Sequence, residues 1–172
     1  MIFTLVGMPG CGKSCMGRVL ARKLKIKNVD SDKLIVKSTG KRLIDLIDEL
    51  GMDGFKALEE RTLMELDVDN VILSTGGSAI YYPAVMQRLK TLGPIIYLYC
   101  NYNTLERRLG DFSQRGVVLA PGQTLRDLYA ERAPLYKKYA DITVDCSGNY
   151  YTQFQQRTYN VIRAYLDNIG TE

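Results

Sequence analysis

A chain of 172 residues, 46% hydrophobic and 24% charged, is the size of one globular domain with a single core. Its net charge of +4 is spread along the sequence, which suits anionic small molecules and lacks the basic tract of a nucleic-acid binder. No segment approaches ~20 consecutive apolar residues, so no transmembrane helix is expected, and with no histidine and four cysteines outside CxxC spacing a zinc site is not expected either.

The first element is an apolar, β-branched and aromatic run, Ile2-Phe3-Thr4-Leu5-Val6, which reads as a core strand and not as a secretion signal. Gly7-Met8-Pro9-Gly10-Cys11-Gly12-Lys13-Ser14 follows, and helical spacing then runs over Lys13–Leu24. Strand, glycine loop and helix N-terminus form the context of a phosphate-binding loop. Successive backbone N–H groups make a concave site for phosphate oxygens. Gly10, Cys11, Gly12, Lys13, Ser14 and Cys15 are therefore the nucleotide-binding candidates, with Lys13 toward the β- and γ-phosphates and the Ser14 hydroxyl toward Mg²⁺. Cys11 lies near a helix N-terminus, where thiolate is favoured, but a small loop residue is the simpler reading. Scattered thiols fit a reducing, cytoplasmic setting.

A second strand ends at Val29-Asp30, which places Asp30-Ser31-Asp32 at the carboxyl edge of the sheet, beside the glycine loop. Phosphoryl transfer needs Mg²⁺ on oxygen ligands and a group to orient or deprotonate the attacking hydroxyl. The pair can divide that work, Asp30 toward the metal through water and Asp32 toward the acceptor. The same Asp-Ser-Asp is also a good helix N-cap. Helices over Asp32–Thr39, Arg42–Leu50 and Gly54–Leu66 then occupy far more chain than a simple crossover needs, so residues 32–62 form an insertion suited to a second substrate.

Val71–Ser74 is the third strand, and Gly76-Gly77 after it let the backbone approach a ligand closely. A helix over Pro83–Leu92, a strand over Ile95–Tyr99 and a helix over Tyr102–Leu109 follow, the last ending in Arg107-Arg108. Residues 110–123, polar and carrying Arg115, read as a mobile lid over the phosphates. The chain closes with a helix over Thr124–Tyr139 bearing Arg132, a strand over Ile142–Val144 and a helix over Tyr151–Leu166. Alternating strands and helices predict an α/β fold with a five-stranded parallel sheet between helical layers.

The ordered set of motifs resembles the shikimate kinase family over essentially the whole chain: Gly7–Ser14, Asp30-Ser31-Asp32, Phe55-Lys56 with Glu59, Thr75-Gly76-Gly77, Arg108 before Arg115, and Glu131-Arg132-Ala133-Pro134-Leu135-Tyr136 with Ala140-Asp141. The resemblance implies a P-loop three-layer αβα kinase fold like that of nucleoside monophosphate kinases. It further implies transfer of the ATP γ-phosphoryl group to the 3-hydroxyl of shikimate, with Mg²⁺, by a cytoplasmic monomer of the aromatic amino-acid route. By the same resemblance Lys13, Asp32 and Arg115 are catalytic, and Asp32, Lys56, Gly76, Gly77 and Arg132 bind the acceptor. Arg132 would pair with the shikimate carboxylate, Arg115 with the transferring phosphoryl, and Arg108 with adenine, while Ser14 and Asp30 serve the metal.

Three positions depart from the family pattern. Lys56 stands where an arginine is usual and loses its bidentate fork. Ser78 replaces the third glycine, and Arg115-Gly116 replaces Arg-Pro. Two of the three fall on the acceptor side, which leaves open a kinase of another small hydroxy acid such as gluconate, or an ATP-binding protein without catalysis.

Overall fold

The computed structural model describes residues 1–110, 122–148 and 151–169. Strands β1 (Ile2–Val6), β2 (Lys27–Asp30), β3 (Val71–Ser74), β4 (Ile95–Tyr99) and β5 (Ile142–Asp145) form one parallel sheet in the order β2-β3-β1-β4-β5. Helices α1 (Lys13–Leu24), α2 (Ser31–Thr39), α3 (Leu43–Met64), α4 (Pro83–Leu92), α5 (Tyr102–Leu109), α6 (Leu125–Tyr139) and α7 (Tyr151–Ile169) complete the architecture, with one 3₁₀ turn at Ala79–Tyr81. All five residues of β1 and all four of β3 are buried, which explains why these strands are continuous in apolar character. The main core packs them against Met16 and Leu20 of α1, Val85, Met86 and Leu89 of α4, and Phe154 and Ile162 of α7.

The chain leaves β1 toward β2 and β3 on one side and later returns to place β4 and β5 on the other, so β1 is the switch strand where ligands of such sheets bind. Ser74 is level with both Leu5 and Asp30, so the first three strands end in one row. The glycine loop, the Asp-Ser-Asp segment and the double glycine therefore leave the sheet side by side.

The expected helices Arg42–Leu50 and Gly54–Leu66 are both present, as the two helical parts of α3 that meet at a kink at Gly51 (φ 69, ψ 173), and the interruption is that one residue where the sequence suggested three. Ile35 of α2 packs with Leu46 and Phe55 of α3 in a small core of its own, separate from the main one. Helix α6 keeps its course through Pro134 and starts from a reciprocal cap in which Thr124 and Asp127 satisfy each other's backbone N–H groups.

Candidate active site

Helix α1 opens from Gly12 in a left-handed conformation (φ 101) with no side-chain cap, so its first N–H groups face the loop and not a capping oxygen. Lys13 folds back over that loop: its Nζ donates to the carbonyls of Gly7 at 2.7 Å and Met8 at 3.0 Å. Ser14, on the first turn of α1, is exposed. Cys11 is fully buried beneath the loop, with its Sγ 3.9 Å from Lys13 Nζ, in accord with the simpler reading of that cysteine.

The Asp-Ser-Asp segment divides its roles by depth. Asp30 is buried and caps α2, its Oδ1 accepting from the Lys33 N–H at 3.3 Å. The Ser31 hydroxyl accepts from the Gly76 N–H at 2.9 Å, which ties the end of β2 to the double glycine after β3. Asp32 is half-buried and faces the cleft. Burial, followed by the Asp30 carboxylate, raises the Asp32 carboxyl above its ordinary 3.8; Lys13 and the Ser31 hydroxyl partly offset this.

A side chain at Gly76 would sit 2.9 Å from Asp32 Oδ1 and 2.9 Å from Glu59 Oε1, so either carboxylate would have to shift to admit one, and the two oxygens lie within twice that distance of each other. Glu59, from α3, is buried and accepts hydrogen bonds from the hydroxyls of Ser78 (2.7 and 2.8 Å to its two oxygens) and Tyr82 (2.9 Å). Burial raises its carboxyl, and these two hydroxyls counter the rise. Across Gly77, Arg132 Nε donates to the Tyr81 hydroxyl at 3.1 Å, and the Tyr136 hydroxyl donates to the Gly77 carbonyl at 2.7 Å.

These groups line one cleft of about 960 Å³. Gly10, Gly12, Lys13, Ser14 and Cys15 from the glycine loop and the start of α1 line it together with Asp32, Lys56, Gly76, Gly77 and Arg132. A matching family model, described as shikimate kinase, spans residues 9–163. The chain belongs to the shikimate kinase family.

Among its relatives, the shikimate kinase of Alteromonas mediterranea is 39% identical over 144 residues, covering 82% of this chain and 84% of that protein. That of Francisella tularensis subsp. novicida is 33% identical over 148 residues, 84% of each chain. Among solved structures, a shikimate kinase from Acinetobacter baumannii in complex with shikimate superposes with a TM-score of 0.85 at 32% identity, over 95% of this chain and 93% of that one. A shikimate kinase from Aquifex aeolicus gives 0.83 at 25% identity, over 96% and 98%. The α/β kinase fold expected from the sequence is therefore the fold of this shikimate kinase family member.

Not every residue that the family pattern suggests meets the cleft. Arg108 extends toward β5 and α7, where its guanidinium donates to the carbonyls of Cys146 (2.9 Å) and Gly148 (2.8 Å) and lies 5.3 Å from the Phe154 ring centroid. Asp30 contributes its cap and its charge behind Asp32. Arg115, with residues 111–121 of the expected lid, lies outside the described residues. Conversely, Glu59, Tyr81 and Tyr82 border the cleft without having been given a role from the sequence. The one signal for the tyrosines was their place four and five residues after the double glycine, a turn whose side chains must meet whatever lies across it.

Proposed function

We propose that this shikimate kinase family member transfers the γ-phosphoryl group of ATP to the 3-hydroxyl of shikimate. The observation that supports the reading is the placement of Asp32 beside Gly76 and of Arg132 beside Gly77, in the same cleft as Lys13 and Ser14 at the start of α1. A cyclic hydroxy acid needs both kinds of group: a cation for its carboxylate and a carboxylate for its reacting hydroxyl.

On the donor side, the uncapped start of α1 and the Lys13 ammonium bind the triphosphate, with Lys13 exchanging its loop carbonyls for phosphate oxygens. Magnesium, when bound, neutralises charge on the β- and γ-phosphates. Among the described residues no cluster of three or more acidic, cysteine or histidine side chains forms a closed metal cage. That fits an ion held mainly by phosphates and water, with the Ser14 hydroxyl and, through water, Asp30 as the protein's share. On the acceptor side Arg132 pairs with the carboxylate, Lys56 adds positive charge at the rim, and the Gly76 and Gly77 backbone lets the ring lie close. Asp32 accepts the hydroxyl proton as the oxygen attacks, and its raised pKa brings it nearer to the working pH, where a general base is most effective. Arg115 from the lid meets the transferring phosphoryl, and Arg108, anchored outside the cleft lining at the end of β5, meets the adenine beyond it. Positioning and charge stabilisation supply most of the rate.

We read the chain as a cytoplasmic monomer acting on free small molecules and not on nucleic acid. Four unpaired cysteines, a net charge of +4 and the absence, among the described residues, of any helix long and apolar enough to cross a membrane support that reading. Release of ADP from Mg-ATP, coupled to a spectrophotometric readout, tests the function. Turnover should rise and saturate with added shikimate, and no stimulation at millimolar shikimate would overturn the assignment. Because Lys56 and Ser78 both border the acceptor half, a panel of polyhydroxy acids belongs in the same assay, and one used much better than shikimate would reassign the acceptor.

A further inference from the structure

The short turn from Ser78 to Tyr82 presents three hydroxyls to the two ionic side chains of the acceptor half. Two go to Glu59: the Ser78 proton is shared between both carboxylate oxygens, and Tyr82 donates to Oε2. The third belongs to Tyr81, which accepts from Arg132 Nε and donates to Glu131 Oε1, itself held on its other oxygen by the Gln123 amide at 2.9 Å. The Tyr81 ring also lies under the Arg132 guanidinium, 5.2 Å from centroid to carbon.

Glu59 and Arg132 are opposite charges on either side of Gly76-Gly77, and each lies within the other's electrostatic reach. In a partly dehydrated cleft opposite charges attract more than they do in water. Nevertheless they form no ion pair, and none of the described carboxylates lies within pairing distance of Arg132. Glu59 accepts from two hydroxyls that leave its charge in place, and Arg132 is anchored through Nε to Tyr81, with the Tyr136 hydroxyl beside its guanidinium, which leaves its two terminal nitrogens as the end-on fork to a carboxylate. A direct Glu59–Arg132 pair would occupy the fork that an anionic acceptor requires. With lysine at position 56, Arg132 is the cleft's one arginine fork among the described residues on the acceptor side.

We propose that the 78–82 turn determines acceptor affinity by holding these two charges apart: Ser78 and Tyr82 detain Glu59, and Tyr81 detains Arg132, so that the fork of Arg132 stays available for the acceptor carboxylate. Ser78, Tyr81 and Tyr82 are positioning residues, acting through Glu59 and Arg132. The inference rests on the acceptor-site reading given above.

Freeing Glu59 in the full-length enzyme tests it. The double variant Ser78→Ala/Tyr82→Phe should raise the shikimate KM, and weaken shikimate binding in calorimetry, by about 10–100-fold, the range for hydrogen bonds to a charged group. Its kcat and ATP KM should stay near wild type. Adding Glu59→Gln to that background removes the competing charge and should restore most of the lost affinity, which a purely structural role for the turn would not do. Tyr81→Phe, which keeps the ring and loses the hydroxyl, should likewise raise the shikimate KM alone; it decides the matter if the double variant does not fold. An unchanged shikimate KM in a folded variant, or a deeper defect on adding Glu59→Gln, overturns the proposal. Failure of the underlying reading is separate and visible in the wild type, as turnover or calorimetric heat that does not respond to shikimate.

Discussion

Burial raises the Asp32 carboxyl and Asp30 adds to the effect, so the folded chain binds that proton more tightly than the unfolded chain does. Below the ordinary value of 3.8 both states are protonated and folding is indifferent to the group. As pH rises through the folded value, ionising Asp32 costs more in the fold than in the open chain, and at neutral pH that destabilisation is fully present. Asp32→Asn should therefore raise the melting temperature at pH 7, by a margin that narrows as pH falls toward the ordinary carboxyl range, while turnover drops ~10²-fold or more with loss of the base. A melting temperature below wild type at pH 7 would contradict the electrostatic account, and near-normal turnover would remove Asp32 from the reaction. Lys56 lines the same cleft as Arg132, and Lys56→Arg restores a second planar fork there, so the shikimate KM should fall or stay level; a large rise would mean the pocket is shaped around lysine. Asp32 was readable from its spacing because it follows a strand directly. The partners of Glu59 were not: they stand 19 and 23 residues away, on a turn that meets α3 only in the folded chain, and no periodicity in the sequence encodes that contact. The anchoring of Arg108 was equally hidden: its Nη2 donates to the carbonyls of Cys146 and Gly148, 38 and 40 residues further along the chain.

The bounds of β1, β3, β4, α1, α4 and α5 coincide with those read from the sequence, because each has a sharp chemical edge: glycine or proline at one end and an abrupt change of polarity at the other. In the middle of α3 the sequence reading, which ends one helix at Leu50, finds the break at Gly51, but a glycine within an amphipathic pattern does not say how short the interruption is. Its backbone, at φ 69 and ψ 173, lies in a region that a side chain strains, while the space around its Cα is open. Gly51→Ala should consequently lower stability by about 1–3 kcal/mol through backbone strain alone. The kink separates the part of α3 carrying Leu46 from the part carrying Phe55, Lys56 and Glu59, so the same variant should also raise the shikimate KM while leaving the ATP KM unchanged. Urea unfolding and steady-state kinetics read the two effects. Wild-type stability would show that this backbone shape is not enforced by the fold.

Across the whole molecule, β1 divides the chain so that the donor half hangs from β1 and α1, whereas the acceptor half is assembled from β2, β3, α3 and α6. Each substrate then stabilises the native state through its own contacts. A ligand that binds only the folded chain adds ~2.7 kcal/mol at a hundred times its dissociation constant. For a chain of this length each kcal/mol is worth roughly 2–4 °C, so Mg-ATP and shikimate should each raise the melting temperature by roughly 5–11 °C at that saturation. Arg132→Ala separates the halves. It removes the cation facing the acceptor but touches none of Gly10, Gly12, Lys13 or Ser14, so the shift with shikimate should collapse and the shift with Mg-ATP persist. Lys13→Ala should give the reverse pattern, because its ammonium is held by the carbonyls of the glycine loop. Loss of both shifts in either variant would mean that the halves fold and bind as one unit, and a shikimate shift surviving in Arg132→Ala would place the acceptor carboxylate on another cation, with Lys56 the nearest candidate on that side of the cleft.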